Sequence, residues 1–204
     1  MAPETAVGAR PTRRMKRSQR RHQLLDVAAE RVVEHGLAAM SMERIAEWAG
    51  VSKALPYAHF DNIEALLVAL YQREWVAIGR EIVAALEQAD PDADLARVRA
   101  KAYCDAVAKR AAVIEALTSP GSTIPRHADP DGEGPRYSAG LLYRYHGVDK
   151  KRALAVAGIL QGAMIGATTS WLHGLASRRV VEDALADVIR ALASPTADDG
   201  AATR

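Results

Sequence analysis

Histidine and cysteine side chains are the first candidates for chemistry, because they supply many metal ligands, nucleophiles and catalytic bases. The chain has six histidines and one cysteine, Cys104. The histidines show no metal-ligand spacing, and no H-E-x-x-H motif, G-x-S-x-G turn or phosphate-binding glycine loop is present. One cysteine allows neither an intramolecular disulfide nor a multi-cysteine zinc site. We therefore expect Cys104 to be buried rather than catalytic, and we predict no enzyme activity, metal or cofactor.

Basic side chains form the second candidate group, because they are concentrated at one end of the chain. The chain has 27 basic and 25 acidic residues. Residues 1–21 contain seven of the basic residues and one acidic residue, and the rest of the chain contains 20 basic and 24 acidic residues. The net charge of +2 thus combines a basic arm of +6 with an acidic body of −4. Such an arm attracts polyanions such as nucleic acid, although a solvated tail can have the same composition.

The overall composition is that of a soluble globular protein, with 49% hydrophobic and 25% charged residues among 204. This length corresponds to one or two domains and is sufficient for a sizeable core. The apolar stretches are interrupted within about ten residues, so we expect no membrane span. The N-terminal segment lacks the apolar stretch of a secretory signal, and we therefore predict a cytoplasmic protein.

Three helices are predicted directly after the basic arm. Apolar residues recur every three or four positions over residues 19–34, and Gly36 is suited to end that helix. A short second helix is predicted from Ser41, as its N-cap, to Gly50. A third runs from Lys53 to about Phe60 behind Ser52, another N-cap candidate. Two short helices around a Gly-Val turn indicate a helix-turn-helix unit.

Each part of this unit has a physical requirement that the sequence meets. Ile45, Ala46 and either Trp48 or Ala49 brace the second helix on the core, with Val51 buried beneath the turn. The third helix must present small and polar groups to a DNA groove about 12 Å wide. The residues suited to that surface are Lys53, Ala54, Leu55 and Tyr57. Phe60 is expected in the core.

On these residues the sequence resembles the TetR family of bacterial transcriptional repressors. The resemblance covers residues 20–67, about a quarter of the chain, and follows the family pattern of an IAxxAGVS turn, then YxxF, then the acidic start of helix four. The matching residues are Ser41, Ile45, Ala46, Ala49, Gly50, Val51, Ser52, Lys53, Tyr57, His59, Phe60, Glu64, Leu66 and Leu67. It implies an all-α fold of about nine helices, with a three-helix DNA-binding domain followed by a larger helical bundle.

The resemblance also implies roles for individual residues. Tyr57 and His59 would contact DNA phosphates. Ser52 would cap the recognition helix and could also reach a phosphate, while Lys53 would contact a guanine edge or a phosphate. Ala54 and Leu55 would touch a thymine methyl group. The remaining candidates are Ser41 and Arg44 for the DNA backbone, and Arg13, Arg14 and Arg17 for the minor groove.

Three positions depart from the family pattern. Ala54 replaces a usual glycine, which is a mild change. Pro56 replaces an aliphatic residue. If Ser52 is the N-cap, Pro56 is the fourth helical residue, so we expect the helix to begin loosely or as a 3₁₀ turn. Ile63 stands where many relatives have a lysine, so one phosphate contact is missing and the basic arm would compensate.

The remainder of the chain also reads as helical. Asp61 and Glu64 have the spacing of a capping box that starts a long helix through about Gln88. Further helices are predicted over residues 93–117, 137–146, 150–173 with Asp149 as cap, and 178–192, and residues 119–135 form a long loop. We expect an arm at 1–17, a DNA-binding domain at 18–66, an effector-binding and dimerisation domain at 67–194, and a tail at 195–204.

The family resemblance places a homodimer interface on the last two helices and a small-molecule site among helices four to eight. Glycines spaced by four favour close approach of a partner helix or of a ligand. The interface candidates are Gly158, Gly162, Gly166, Val181, Ala184, Leu185 and Val188, all of which could instead close the core of one chain. The effector candidates are Trp75, Ile78, Tyr103, Val107, Leu141, Gln161, Met164, Ile165 and Thr168. Ordinary core packing explains these residues equally well.

Together these features predict a ligand-responsive transcriptional regulator. We expect a repressor that binds palindromic operator DNA as a homodimer and is released by a small, mostly hydrophobic effector. Tyr137, Tyr143 and Tyr145 lie near the loop, where they could gate entry to the site. Two other classes stay open: a helical interaction protein that has lost DNA binding, and an enzyme.

Overall fold

The computed structural model describes residues 16–124 and 133–194, and the regular elements in these ranges are all helical. The predicted all-α class is therefore confirmed. The nine α-helices of the described ranges are α1 Arg17–His35, α2 Met42–Trp48, α3 Ala54–Tyr57, α4 Ile63–Glu87, α5 Leu95–Ala108, α6 Ala111–Leu117, α7 Glu133–His146, α8 Lys150–Leu172 and α9 Arg178–Ala193. Arg13, Arg14 and the tail at 195–204 lie outside the described residues.

Several helix ends form where the sequence predicts them. Gly36 follows α1 with a φ of 72°, a value that costs other residues strain. The Ser41 hydroxyl accepts a hydrogen bond of 3.2 Å from the Arg44 N–H at the start of α2. Asp149 accepts one of 2.8 Å from the Lys151 N–H at the start of α8. These side chains satisfy backbone donors that have no partner within the helix.

The predicted cap of α4 is wrong by one residue. Asn62, not Asp61, is the N-cap, and its side-chain oxygen accepts a hydrogen bond of 2.8 Å from the Ala65 N–H. Amide and carboxylate side chains cap helices about equally well, so residue type did not distinguish these neighbours.

The single helix predicted over residues 93–117 is also wrong, because the structure has two helices there. α5 ends at Ala108, and Arg110 leaves the helical region with φ −122° and ψ 4°. Its guanidinium binds the Ala106 carbonyl oxygen at 2.8 Å and Glu81 of α4 at 2.8 Å. The break contains neither glycine nor proline, and Arg110 is bonded there to Glu81 of another helix, so local composition does not reveal it.

The buried side chains form two clusters joined by α4. The first combines α1, α2 and the first turns of α4 with Leu117 of α6. The second combines the rest of α4 with α5, α7, α8 and α9. Cys104 lies in the second cluster with no exposed surface, as predicted, and burial raises the pKa of its thiol to about 12. The predicted division at residue 66 stays a prediction, because α4 runs through both clusters.

Helix α8 corrects the expectation that no apolar stretch is long enough to span a membrane. It has 23 residues, a mean hydropathy of 1.4 in its most apolar window, and only 28% of that window is buried. By length and composition alone such a helix fits a membrane, but an apolar helix that packs in a protein interior or interface passes the same test.

Candidate nucleic-acid interface

The turn between α2 and α3 is fixed by backbone hydrogen bonds over a buried face. Ile45 and Ala46 of α2 are almost fully buried. Beyond them, Gly50 has a φ of 63°, and the Val51 N–H donates to the Ala46 carbonyl oxygen at 3.0 Å. Val51 itself is half-buried against the first cluster. The turn therefore places α3 on the outside of the unit, as a helix-turn-helix requires.

Helix α3 is a single turn that starts one residue later than predicted. Its N-cap is Lys53, without a side-chain cap, so the predicted capping role of Ser52 is wrong. The Leu55 N–H instead donates to the Ser52 carbonyl oxygen at 2.9 Å, which is the i to i−3 bond of a 3₁₀ start. Pro56 is consequently the third helical residue, where no intrahelical N–H is required, and its ring is buried.

The outer face of α3 carries most of the predicted contact residues. Lys53 and Ala54 are exposed, Tyr57 is 51% exposed, and Leu55 and His59 are half-buried. Phe60, predicted to be core, is 6% exposed. The surface thus combines a cation, a phenol and small apolar groups, as a major-groove contact requires.

A hydrogen bond between α3 and α2 fixes the Tyr57 phenol. Its hydroxyl donates to Glu43 Oε1 at 2.9 Å. A hydrogen bond from the Glu43 backbone N–H lowers the pKa of the Glu43 carboxyl, and the bond from Tyr57 lowers it further. The same bond raises the pKa of Tyr57. The predicted phosphate-binding hydroxyl is therefore held by a carboxylate in the free protein.

The start of α1 brings arginines beside the end of α3. Arg17 donates to the Ala58 carbonyl oxygen at 3.3 Å, and the Arg21 guanidinium lies 4.9 Å from the centre of the Phe60 ring. Burial lowers the pKa of His59, and the nearby positive charges of Arg17, Arg21 and Arg20 lower it further. Arg20 and Arg21 were not among the predicted contacts, although their position in the basic arm was a signal. A positive surface thus runs from α1 to α3.

The two predicted contacts near α2 are partly engaged within the chain. The half-buried Ser41 uses its hydroxyl oxygen to cap α2. Arg44 donates to the Ala39 carbonyl oxygen at 3.2 Å, and its guanidinium lies 5.9 Å from the Trp48 ring centre. Arg44 remains exposed. Both residues lie on the edge of the same unit as α3.

The predicted effector residues do not all meet. Seven of them lie in or against the second cluster: Trp75, Ile78, Tyr103, Val107, Leu141, Met164 and Thr168. The Tyr103 hydroxyl bonds to Thr168 and also donates to the Met164 carbonyl oxygen at 2.9 Å. Gln161 is half-buried, and Ile165 is 47% exposed on the outside of α8.

The predicted interface residues also divide into two groups. Val181 and Leu185 are 5% and 3% exposed and belong to the core of the single chain. Gly158, Gly162, Gly166 and Ala184 are exposed, and Val188 is half-buried. Val181 and Leu185 therefore cannot form a surface for a partner without leaving their own core.

Helix-turn-helix DNA-binding domains are defined by a short exposed helix that follows a tight turn and lies beside a basic surface. The unit formed by α2 and α3 has these features. Residues 24–70 match the family model described as bacterial regulatory proteins of the tetR family. Residues 24–70 therefore carry the DNA-binding unit of the tetR family.

Individual relatives agree with this family. The chain is 44% identical over 68 residues to the HTH-type transcriptional activator FasR of Mycolicibacterium smegmatis. These 68 residues are 33% of this chain and 31% of FasR. The match thus spans about a third of that relative's length.

Solved structures extend the likeness of fold to most of the chain. The fatty acid degradation regulator FadR of Bacillus halodurans superposes with a TM-score of 0.65 at 17% identity, covering 86% of this chain and 96% of FadR. A TetR transcriptional regulator from Rhodococcus sp. RHA1 superposes with a TM-score of 0.62 at 22% identity, covering 87% and 97%.

Proposed function

We propose that this protein is a ligand-responsive transcriptional repressor. It binds a palindromic operator as a homodimer in the cytoplasm and is released by a small, mostly hydrophobic effector. The observation that carries the proposal is the exposed face of α3, with Lys53 and Tyr57, directly beside Arg17 and Arg21 of α1. A neutral or acidic surface beside α3 would oppose phosphate binding.

The alternative of an interaction protein without DNA binding rested on two departures from the family pattern. Pro56 occupies a position of α3 that tolerates proline, so it gives no reason to doubt DNA binding. Ile63 stands where many relatives have a lysine, but Arg17, Arg20 and Arg21 supply positive charge to the same unit, beside His59. DNA binding is therefore the better-supported function.

The outer surface of α8 supports the homodimer. Its exposed side chains follow one helical stripe that includes Leu154 and Ile159, 51% and 59% exposed. A Cβ added to Gly158, Gly162 or Gly166 would meet no atom within 4 Å apart from its chain neighbours and the backbone of its own helix. Helical glycine costs about 1 kcal/mol relative to alanine, and nothing in the single chain requires it here. A partner helix that approaches closely explains both the glycines and the exposed apolar groups, without a membrane.

The proposed effector site lies in the second cluster, between α4, α5, α7 and α8. Trp75 and Tyr103 stack there with ring centres 6.4 Å apart, and the Tyr103 hydroxyl and Thr168 provide polar groups. An effector lowers DNA affinity only by binding one dimer state more tightly than the other. The direction of regulation is measured with a promoter–reporter fusion, because the likeness to the activator FasR covers only the DNA-binding part.

Alanine substitution of Lys53 tests the proposed reading surface. An operator fragment is first selected from random DNA by the wild-type protein, and affinity is then measured by fluorescence anisotropy. We expect Lys53→Ala to weaken binding about tenfold or more. Lys101→Ala is the matched control, because that exposed lysine lies on α5 and pairs with Asp105 at 2.7 Å. Unchanged affinity of Lys53→Ala, or a loss of its dimer, would contradict the proposal.

A further inference from the structure

A fully buried arginine without a charged partner lies in the second cluster. Arg99 of α5 is 2% exposed. Its Nη2 donates to the Ser138 hydroxyl of α7 at 2.8 Å. Its Nε and Nη1 have no hydrogen-bond partner, and none of the ion pairs found among the described residues involves it. Burial lowers the pKa of the guanidinium to about 10, so Arg99 remains charged at neutral pH.

The titratable groups that act on or respond to Arg99 are the Tyr137 phenol and the His146 imidazole, and neither is a carboxylate. Burial, and to a smaller extent the charge of Arg99, lowers the pKa of His146 of α7 to about 4. The His146 ring is therefore neutral at neutral pH. Its buried Nε2 also lacks a partner. Asp94, whose charge acts on His146, is committed to the α5 N-terminus and to Arg190 at 2.5 Å. The neighbourhood therefore contains unused donors and no free carboxylate among the described residues.

An unpaired buried guanidinium is costly, and replacing it with an apolar residue would ordinarily stabilise a core. Its retention is explained if a ligand supplies the missing negative charge. One turn further along α5, about 6 Å away, Tyr103 begins the apolar region with Trp75. The two regions together match a molecule with an anionic end and an apolar body.

We propose that Arg99 and Ser138 bind the carboxylate of the effector, and that the effector is therefore an organic acid with an apolar body. This inference rests on the proposed effector site. Guanidinium binds carboxylate through charge-assisted hydrogen bonds, and the Ser138 hydroxyl adds a further donor. Trp75 and Tyr103 then contact the apolar body.

Thermal unfolding with octanoate and octan-1-ol tests this assignment without DNA. We expect octanoate to raise the Tm of the wild type by roughly 5–10 °C at about 100 times its Kd, and octan-1-ol to leave it unchanged. Arg99→Met should lose the response and, without ligand, be at least as stable as the wild type. Arg97→Met is the matched control, because this exposed arginine of α5 pairs with Asp183, and it should keep the response.

Three results would overturn the assignment: no response of the wild type to octanoate, an equal response of Arg99→Met, or a Tm of unliganded Arg99→Met several degrees below the wild type. If Arg99→Met does not fold, Ser138→Ala tests the proposal instead. We expect this variant to bind octanoate several-fold more weakly than the wild type, and unchanged binding would contradict the proposal. Operator binding is measured separately on the same samples, so failure of the DNA function is distinguishable from failure of the carboxylate site.

Discussion

At the scale of single residues, Tyr57 shows how a side chain of the proposed interface is held in the free protein. Its hydroxyl donates to Glu43 at 2.9 Å, and both side chains are exposed. A phosphate would compete with the Glu43 carboxylate for this donor, and the two anions repel each other. In the proposed complex we therefore expect Glu43 to oppose DNA binding and Tyr57 to favour it.

Substitutions of these two residues should consequently act in opposite directions. We expect Tyr57→Phe to lower operator affinity about tenfold, because a hydrogen bond to a charged group is lost. Glu43→Ala should raise affinity about threefold, since a negative charge is removed beside the phosphates. Anisotropy titrations of both variants measure these effects. The same direction of change in both would refute the assigned competition.

His146 predicts a dependence of stability on pH. Its pKa is about 4 in the folded chain and 6.5 when unperturbed. Between these values the unfolded chain binds a proton that the folded chain does not, so the free energy of unfolding falls as pH is lowered. We expect His146 to contribute a loss of about 1–2 kcal/mol between pH 7 and pH 4, reduced by partial solvation of the ring.

Urea unfolding at several pH values measures this loss. His146→Gln should flatten the decline relative to the wild type. His22→Gln, which alters an exposed histidine of α1, should leave it unchanged. An identical pH profile for the wild type and His146→Gln would show that another group is responsible.

At the scale of helices, the sequence predicts best where one side chain decides the local backbone. Gly36, Ser41 and Asp149 end or begin helices as expected, because each acts on backbone within one turn. The break at Arg110 was missed because it depends on a distant partner, Glu81. Only tertiary packing supplies that information.

The exposed stripe of α8 predicts different results for two helical glycines. Gly162 of α8 and Gly140 of α7 are both exposed, and apart from chain neighbours and the backbone of its own helix a Cβ on either would meet no atom within 4 Å. Leucine should therefore fit at both positions in the monomer and favour the helix by roughly 0.5–1 kcal/mol. At Gly162, however, it should prevent close approach of a second α8.

Sedimentation velocity distinguishes the two glycine variants. We expect Gly162→Leu to be monomeric at concentrations where the wild type is dimeric, and Gly140→Leu to remain dimeric. A dimeric Gly162→Leu with the affinity of the wild type would move the interface away from this stripe.

At the scale of the whole molecule, ion pairs join the two clusters. Arg73 of α4 binds Asp26 of α1 at 2.6 Å and Glu74 at 2.8 Å. Glu74 also lies 3.4 Å from Arg110, between α5 and α6. Glu74 is 9% exposed, so its charge is largely desolvated. The network is a physical link between the helices of the DNA-binding unit and those of the second cluster.

Breaking this network should destabilise the chain. We expect Glu74→Gln to lower the free energy of unfolding by about 2 kcal/mol, because two arginines lose a largely buried partner. Glu34→Gln is the control, because the half-exposed Glu34 carboxylate pairs with Arg31 at 2.5 Å on the surface. This substitution should change the free energy of unfolding by less than about 0.5 kcal/mol. Urea unfolding measures both. Equal effects would show that Glu74 has no special role.

The sequence predicts the proposed DNA-binding surface more completely than the proposed effector site. The proposed DNA contacts of α3 follow from a contiguous pattern over residues 41–60, so most of that surface could be predicted from the sequence. The proposed carboxylate site joins Arg99 of α5 to Ser138 of α7, which are brought together only by folding. Arg99 did leave one signal, because it lies on the apolar face of α5 three residues after Ala96 and four before Tyr103.

The most direct test of the account is the affinity of the full chain for its selected operator, compared with a scrambled fragment at several salt concentrations. We predict binding at least about a thousandfold tighter to the operator, and an affinity that falls about a thousandfold between 50 and 200 mM salt. Equal affinity for the two fragments would contradict sequence-specific DNA binding, and with it the proposed regulator.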